Sequence, residues 1–153
     1  MGRFCWPHPP SNPVQVHFVA GLSPIITAWA TEALPHEAVA LLLGTIEGEH
    51  WQVQQLHPAT NIAPDPVRFF ELDPVAWLRA DAVAHASGCA IIGVMHTHPV
   101  GLAQPSVHDA RSGPSLGRQM VFVIWAIEQG RPVLRAWRWD GVAYSEVPLS
   151  CNY

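Results

Sequence analysis

Residues 14–20 alternate apolar and polar side chains (V-Q-V-H-F-V-A), the period-two pattern of a half-buried strand. Ser23 then predicts a helix cap, with Pro24 at the first helical position and Ile26, Trp29, Ala30 and Ala33 along one face. That helix runs to about Leu34, where Pro35 stops it. Residues 39–45 are almost wholly aliphatic, too short for a globular helix and closed by Gly44, which fits a central strand covered on both faces. Residues 51–57 alternate again and pair with it through a turn at Glu47-Gly48-Glu49. Asn61 to Asp73 is an ordered excursion carrying Pro64 and Pro66, after which Pro74 opens a second helix to about Ser87. Its inward face reads as Val75, Leu78, Ala82 and Val83, and Gly88 terminates it. Residues 90–95 form another buried strand, and Ser106-Val107-His108-Asp109 has the Ser-x-x-acidic form of a helix start, that helix reaching about Gly117. Residues 120–127, 132–139 and 142–149 close the chain as strands joined at Gln129-Gly130 and Asp140-Gly141. The expected class is α/β: a curved mixed sheet of about seven strands with helices packed on it, in the order β-α-β-β-α-β-α-β-β-β.

Composition narrows what this domain does. With 153 residues, 49% hydrophobic, 13% charged and seven Trp, the chain has the material for one packed core, placed at residues 14–153 after a Pro-rich lead-in at 1–13. Its net charge is −4, and its eight basic residues, all Arg, are scattered, which excludes nucleic acid as the main partner. Cys5, Cys89 and Cys151 form neither a disulfide framework nor a CxxC pair, so a reducing cytoplasm is the expected compartment. The longest apolar run, residues 38–43, is far short of a membrane span, and no membrane partner is expected.

The strand at 90–95 runs into His96-Thr97-His98-Pro99. Residues i and i+2 of a strand point to one side, so His96 and His98 can offer two imidazole nitrogens to one ion. Asp109, eleven residues beyond His98 in the first turn of a helix, can add a carboxylate. Zinc takes nitrogen and carboxylate oxygen in a tetrahedron, and a catalytic zinc keeps one position open beside three protein ligands. Ser106 is an N-cap by position, and its hydroxyl can also donate to a substrate. An isolated His-x-His is more often a plain core or surface pair; the added Ser and Asp at fixed register favour a metal. His108 reads as solvent-facing, Trp125, Trp137 and Trp139 as core or sheet-face residues, and Cys89 as a small buried hydrophobe.

The stretch HTHPVGLAQPSVHD resembles the JAMM (MPN) metalloprotease motif H-x-H-x7-S-x2-D at every specified position. Pro35-His36-Glu37 through Gly44 is similar to the family's upstream segment P-x-E-x-x-G-x-x-x-G, with Ala40 where the pattern has its first Gly. Asn61 and the Arg68-Phe69 and Leu72-Asp73-Pro74 pairs resemble bacterial members. The resemblance implies a cytidine-deaminase-like JAMM/MPN core and one zinc held by His96, His98 and Asp109. It also implies Glu37 as the general base and then acid, and Ser106 as a donor to the tetrahedral oxyanion. About ten residues separate Asp109 from the next strand, too few for the family's second insertion. The chain is therefore similar to the compact prokaryotic group that trims the diglycine end of small ubiquitin-like or sulfur-carrier proteins. A non-catalytic MPN-type scaffold, with a structural or absent metal, is the alternative.

Overall fold

The computed structural model describes residues 14–110 and 120–152. The expected lead-in at 1–13 and the part of the third helix beyond residue 110 lie outside the described residues. The elements are β1 (Gln15–Phe18), α1 (Leu22–Ala33), β2 (Val39–Glu47), β3 (His50–Ala59), α2 (Pro74–Ala86) and β4 (Ala90–His98). They continue with β5 (Val121–Glu128), β6 (Arg131–Trp139), β7 (Tyr144–Val147) and β8 (Leu149–Cys151). A helical turn begins at residue 107.

One mixed eight-stranded sheet runs in the order β7-β6-β5-β4-β2-β3-β1-β8. Its edge strands β7 and β8 are consecutive in the chain with only Pro148 between them, so the sheet curls until its edges nearly meet. The single strand expected at 142–149 is thus two. Pro148 cannot donate to a ladder; its carbonyl accepts from Val16 N at 2.9 Å, and the chain changes edge there. The Asp140 carboxylate accepts from Val142 N and Ala143 N at 2.7 and 2.8 Å, an Asx turn that delays β7 to Tyr144.

β2 alternates its aliphatic side chains between two cores, which explains its unbroken apolar run. Leu42 joins Phe18, Ile26, Ala30, Met95 and Trp125 on the α1 side. Val39, Leu41 and Leu43 join Phe70, Ala80, Ala84, Val94 and Phe122 on the α2 side. The α1 cap is Gly21, in the left-handed region at φ 85°, with Ser23 inside the first turn; only Gly turns this sharply out of β1 without strain. The α2 face also differs from its expected one. Ala76, Ala80 and Ala84 are buried, whereas Val75, Leu78 and Val83 are 47%, 70% and 40% exposed. Small side chains at i, i+4 and i+8 let the helix lie close on the sheet. Asp73 caps it, accepting from Val75 N at 3.0 Å.

Two bulges set the phase of the strands. The β2–β4 register passes from Leu42↔Gly93 to Leu43↔Ile91, leaving Ile92 as the extra residue. Ile91 packs on the α2 side and Ile92 on the α1 side, yet Val94 is again on the α2 side. One inserted residue therefore swaps the faces of everything after it, and it turns His96 and His98 toward α2. A second irregularity between Leu43 and Gly44 brings Gly44 against β3, where a Cβ would run into the Gln52 carbonyl and the Ile92 side chain. Gly44→Ala is expected to cost at least about 2 kcal/mol, seen as a lower urea midpoint at unchanged slope.

Candidate metal centre

β4 delivers His96 and His98 at its C-terminal end, on the face shared with Val39 and Leu41 of β2. His96 Nε2 and His98 Nε2 lie 3.0 Å apart, and Asp109 Oδ2 lies 3.3 Å from the first and 3.2 Å from the second. All three residues are buried. Ligands about 2.0–2.1 Å from a tetrahedral zinc lie about 3.3 Å from one another, so this triangle has the size of one face of a metal's coordination shell. Among the described residues, these three side chains form the group able to hold a metal ion.

The surroundings fix each side chain of this triad. His98 Nδ1 is 2.7 Å from the Leu102 carbonyl, which can only accept. A proton on Nδ1 satisfies that bond, so in the neutral ring the Nε2 lone pair is left facing His96 and Asp109, and in the protonated ring Nε2 donates to Asp109. His96 stacks on Phe70 with ring centroids 4.5 Å apart, and its buried Nδ1 has no partner among the described residues. Asp109 Oδ2 accepts from Ser106 N at 2.7 Å while Asp109 N donates to Ser106 Oγ at 3.1 Å, the reciprocal arrangement of a capping box. Ser106 thus caps its helix and aims the Asp109 carboxylate in one interaction. Tyr144 adds its hydroxyl, donating to the Asp109 carbonyl at 3.0 Å.

Glu37 precedes β2 and is 7% exposed. Thr97, between the two histidines, accepts from Ala38 N at 2.8 Å and donates its own N–H to the Ala38 carbonyl at 3.0 Å, which sets Glu37 opposite His98. Glu37 N donates to the Pro66 carbonyl at 2.7 Å, and its carbonyl accepts from Asn61 Nδ2 at 2.9 Å. Asn61 also donates to Phe69 O and accepts from Ala63 N and Glu71 N, so one amide ties the 61–73 excursion to Glu37. In the sequence Asn61 stands out only through its resemblance to bacterial members, and nothing local marks Thr97.

Electrostatics separate the groups. Burial raises the Glu37 carboxyl from 4.5 to about 8; the nearby His98 pulls it down and Asp109 pushes it up. Burial would also raise Asp109, but the hydrogen bonds from His96 and His98 hold it well below the usual carboxylate range. Burial pushes His96 down. For His98, burial acts in the same direction, yet its hydrogen bonds to Asp109 and the Leu102 carbonyl prevail and raise it. The site is an anion and two imidazoles beside a carboxyl that binds a proton readily.

The chain matches the Prok-JAB family, the prokaryotic homologs of the JAB domain, over residues 20–140, a span that includes Glu37, His96, His98, Ser106 and Asp109. This chain belongs to the Prok-JAB family. A relative in Thermus thermophilus, named as a probable TtuB-protein conjugate cleaving protease, is 32% identical over 77 residues, 50% of this chain and 49% of that protein. The match thus spans about half the length of that relative. Protein DSY2949 from Desulfitobacterium hafniense superimposes with a TM-score of 0.80 at 25% identity, over 90% of this chain and 93% of that one. A protein from Salinibacter ruber does so at 0.64 and 26% identity, over 88% and 90%. The Prok-JAB fold is therefore as expected from the motif, with an α/β architecture and a nearly closed sheet.

The bystanders divide. His108 is half-buried against Phe69, with ring centroids 4.6 Å apart, rather than solvent-facing. Trp125 is buried at 1% exposure, and Trp137 and Trp139 pack at the sheet face. Cys89 is half-buried, with its Sγ 3.5 Å from Gln54 Oε1. No helix among the described residues is long and apolar enough to cross a membrane.

Proposed function

We propose that this Prok-JAB chain is a cytoplasmic, zinc-dependent peptidase or isopeptidase of the JAMM type. It hydrolyses the amide bond after the C-terminal diglycine of a small ubiquitin-like or sulfur-carrier protein. The observation that carries this reading is the convergence of His96 Nε2, His98 Nε2 and Asp109 Oδ2 within 3.0–3.3 Å, with a buried carboxyl set beside them. Three protein ligands rather than four favour a catalytic over a structural metal. The relative named for cleaving TtuB-protein conjugates supports a protein conjugate as the substrate class.

His96, His98 and Asp109 would hold the zinc, which would supply a Lewis acid to acidify water and polarise a carbonyl. Glu37 takes the proton of the attacking water and returns it to the leaving amine, a cycle typically worth about 10²–10⁴ in rate. The Ser106 oxygen accepts from Asp109 N, leaving the hydroxyl proton for the substrate carbonyl oxygen as it gains negative charge. A diglycine suits the approach, because only Gly lets an extended backbone come this close to a metal. A groove of about 760 Å³ lined by Pro64, Phe69, Leu72, Trp77 and His108 borders the site and offers an apolar rest for the carrier's body.

The test is incubation with diglycine-tailed carrier proteins bearing C-terminal extensions, followed by mass spectrometry. Loss of the extension after the second Gly is expected, and its abolition by a chelator with restoration by zinc. Zinc uptake without cleavage of any such fusion contradicts the peptidase reading and favours a scaffold.

A further inference from the structure

The loop after β4 is tied to the β5–β6 hairpin at one peptide group. The Leu102 carbonyl accepts the His98 Nδ1 proton at 2.7 Å. The N–H of the same peptide, on Ala103, donates to Glu128 Oε1 at 2.9 Å. Arg135 grips that carboxylate in two places, Nη1 to Oε1 at 2.6 Å and Nη2 to Oε2 at 3.1 Å. The Ala103 carbonyl accepts from Trp137 Nε1 at 3.1 Å, and Ala103 is fully buried against Ile124 and Ala126. The chain of contacts is therefore guanidinium, carboxylate, peptide, imidazole, with a peptide standing where a histidine ligand often meets a carboxylate directly.

We infer that Glu128, held by Arg135, is a positioning residue for the metal-ligating ring of His98, acting through the Leu102–Ala103 peptide group. It rests on the reading of His98 as a ligand. Two acceptors compete for the single proton of a neutral His98: the Leu102 carbonyl at Nδ1 and the Asp109 carboxylate at Nε2, 3.2 Å away. A carboxylate is the stronger acceptor of the two. A proton on Nε2 blocks the lone pair that a metal needs. Glu128 tips the contest, because an anion accepting from a peptide N–H polarises that peptide and makes its carbonyl a better acceptor, an effect of about 10–30% per bond along such chains. It also fixes the carbonyl in place, since the Leu102 side chain is 53% exposed and contributes little anchoring. The arrangement spans 30 residues of sequence from His98 to Glu128 and needs no side chain of the 99–105 loop.

The experiment compares Glu128→Ala, Glu128→Gln and Glu146→Ala in the full chain. Glu146 is the other acidic neighbour of Arg135, 3.7 Å from its Nε and outside the relay, so its variant controls for the loss of an ion pair. Zinc affinity by chelator competition is expected to fall about 10–100-fold in Glu128→Ala. Glu128→Gln, which keeps an acceptor but not the charge, is expected to fall between that variant and wild type. Glu146→Ala is expected to stay at the wild-type value. Side-chain ¹⁵N spectra of metal-free protein, at a pH where the ring is neutral, are expected to show His98 protonated at Nδ1 in wild type and in Glu146→Ala. In Glu128→Ala the proton shifts toward Nε2, a change that mere loosening of the fold does not produce. Should Glu128→Ala not fold, Glu128→Gln decides by the same two readouts. Unchanged zinc affinity and an unchanged His98 tautomer in the folded Glu128 variants overturn the inference. A wild-type protein that takes up no zinc contradicts the metal reading alone, because the tautomer in metal-free protein judges the relay independently.

Discussion

Glu37→Gln is expected to lower hydrolysis by roughly 10²–10⁴-fold while zinc remains bound. The substitution keeps the shape of a side chain that is 7% exposed and removes only its capacity to take a proton. The same change has a signature that needs no substrate. In metal-free protein burial pushes the folded-state carboxyl up to about 8, against 4.5 for a free side chain. Between those values the folded protein holds a proton that the unfolded chain has released. This group's contribution to stability therefore falls as pH rises through that window and is flat below it. Gln has no charge to bury. Metal-free Glu37→Gln protein should thus match wild type near pH 4 and exceed it by roughly 1–3 kcal/mol near pH 8.5, measured by urea denaturation. Beside a divalent ion the Glu37 carboxyl moves back down, so zinc should shrink the difference. A variant that hydrolyses at the wild-type rate, or a stability gap independent of pH, contradicts the role given to Glu37.

The second large effect concerns the ligands. Asp109→Asn keeps the side-chain shape and an oxygen for the Ser106 N–H, but it loses the anion that His96 and His98 face at 3.3 and 3.2 Å. Zinc affinity should fall more than about 100-fold, and activity with it. Ligand binding to the folded state alone adds about 4 kcal/mol at a thousand times the dissociation constant. For a chain of this size that corresponds to roughly 8–16 °C in Tm. Wild type should show that rise when zinc is added and lose it to a chelator; Asp109→Asn should show neither. An equal rise in both proteins places the stabilising ion elsewhere.

The parts of this molecule legible in the sequence are those set by local chemistry. His-x-His on a strand fixes two imidazoles on one face whatever the register, and Ser106 with Asp109 is a capping box that reads the same in one dimension as in three. β2 was readable because both its faces are buried. What stayed hidden depends on the partner rather than on the segment. The expected α2 face was Val75, Leu78, Ala82 and Val83, whereas the sheet buries the stripe of Ala76, Ala80 and Ala84, with Trp77 packed beside it. The extra residue Ile92 lies inside an apolar run that carries no mark of a bulge, although it decides which way His96 and His98 point. Pro148 was a visible signal for the split of the last strand, since a proline without an N–H interrupts a ladder. Glu128 and Arg135 give no local signal: their task exists only once the loop after β4 has folded back on the β5–β6 hairpin.

Everything chemical here depends on one ion sitting among His96, His98 and Asp109. Crystals grown with zinc and measured on both sides of the zinc absorption edge test it directly. The expected result is a single strong anomalous peak per chain, about 2.0–2.2 Å from His96 Nε2, His98 Nε2 and Asp109 Oδ2, and no such peak in Asp109→Asn crystals. An empty wild-type site under those conditions, or a peak that touches none of the three atoms, contradicts it.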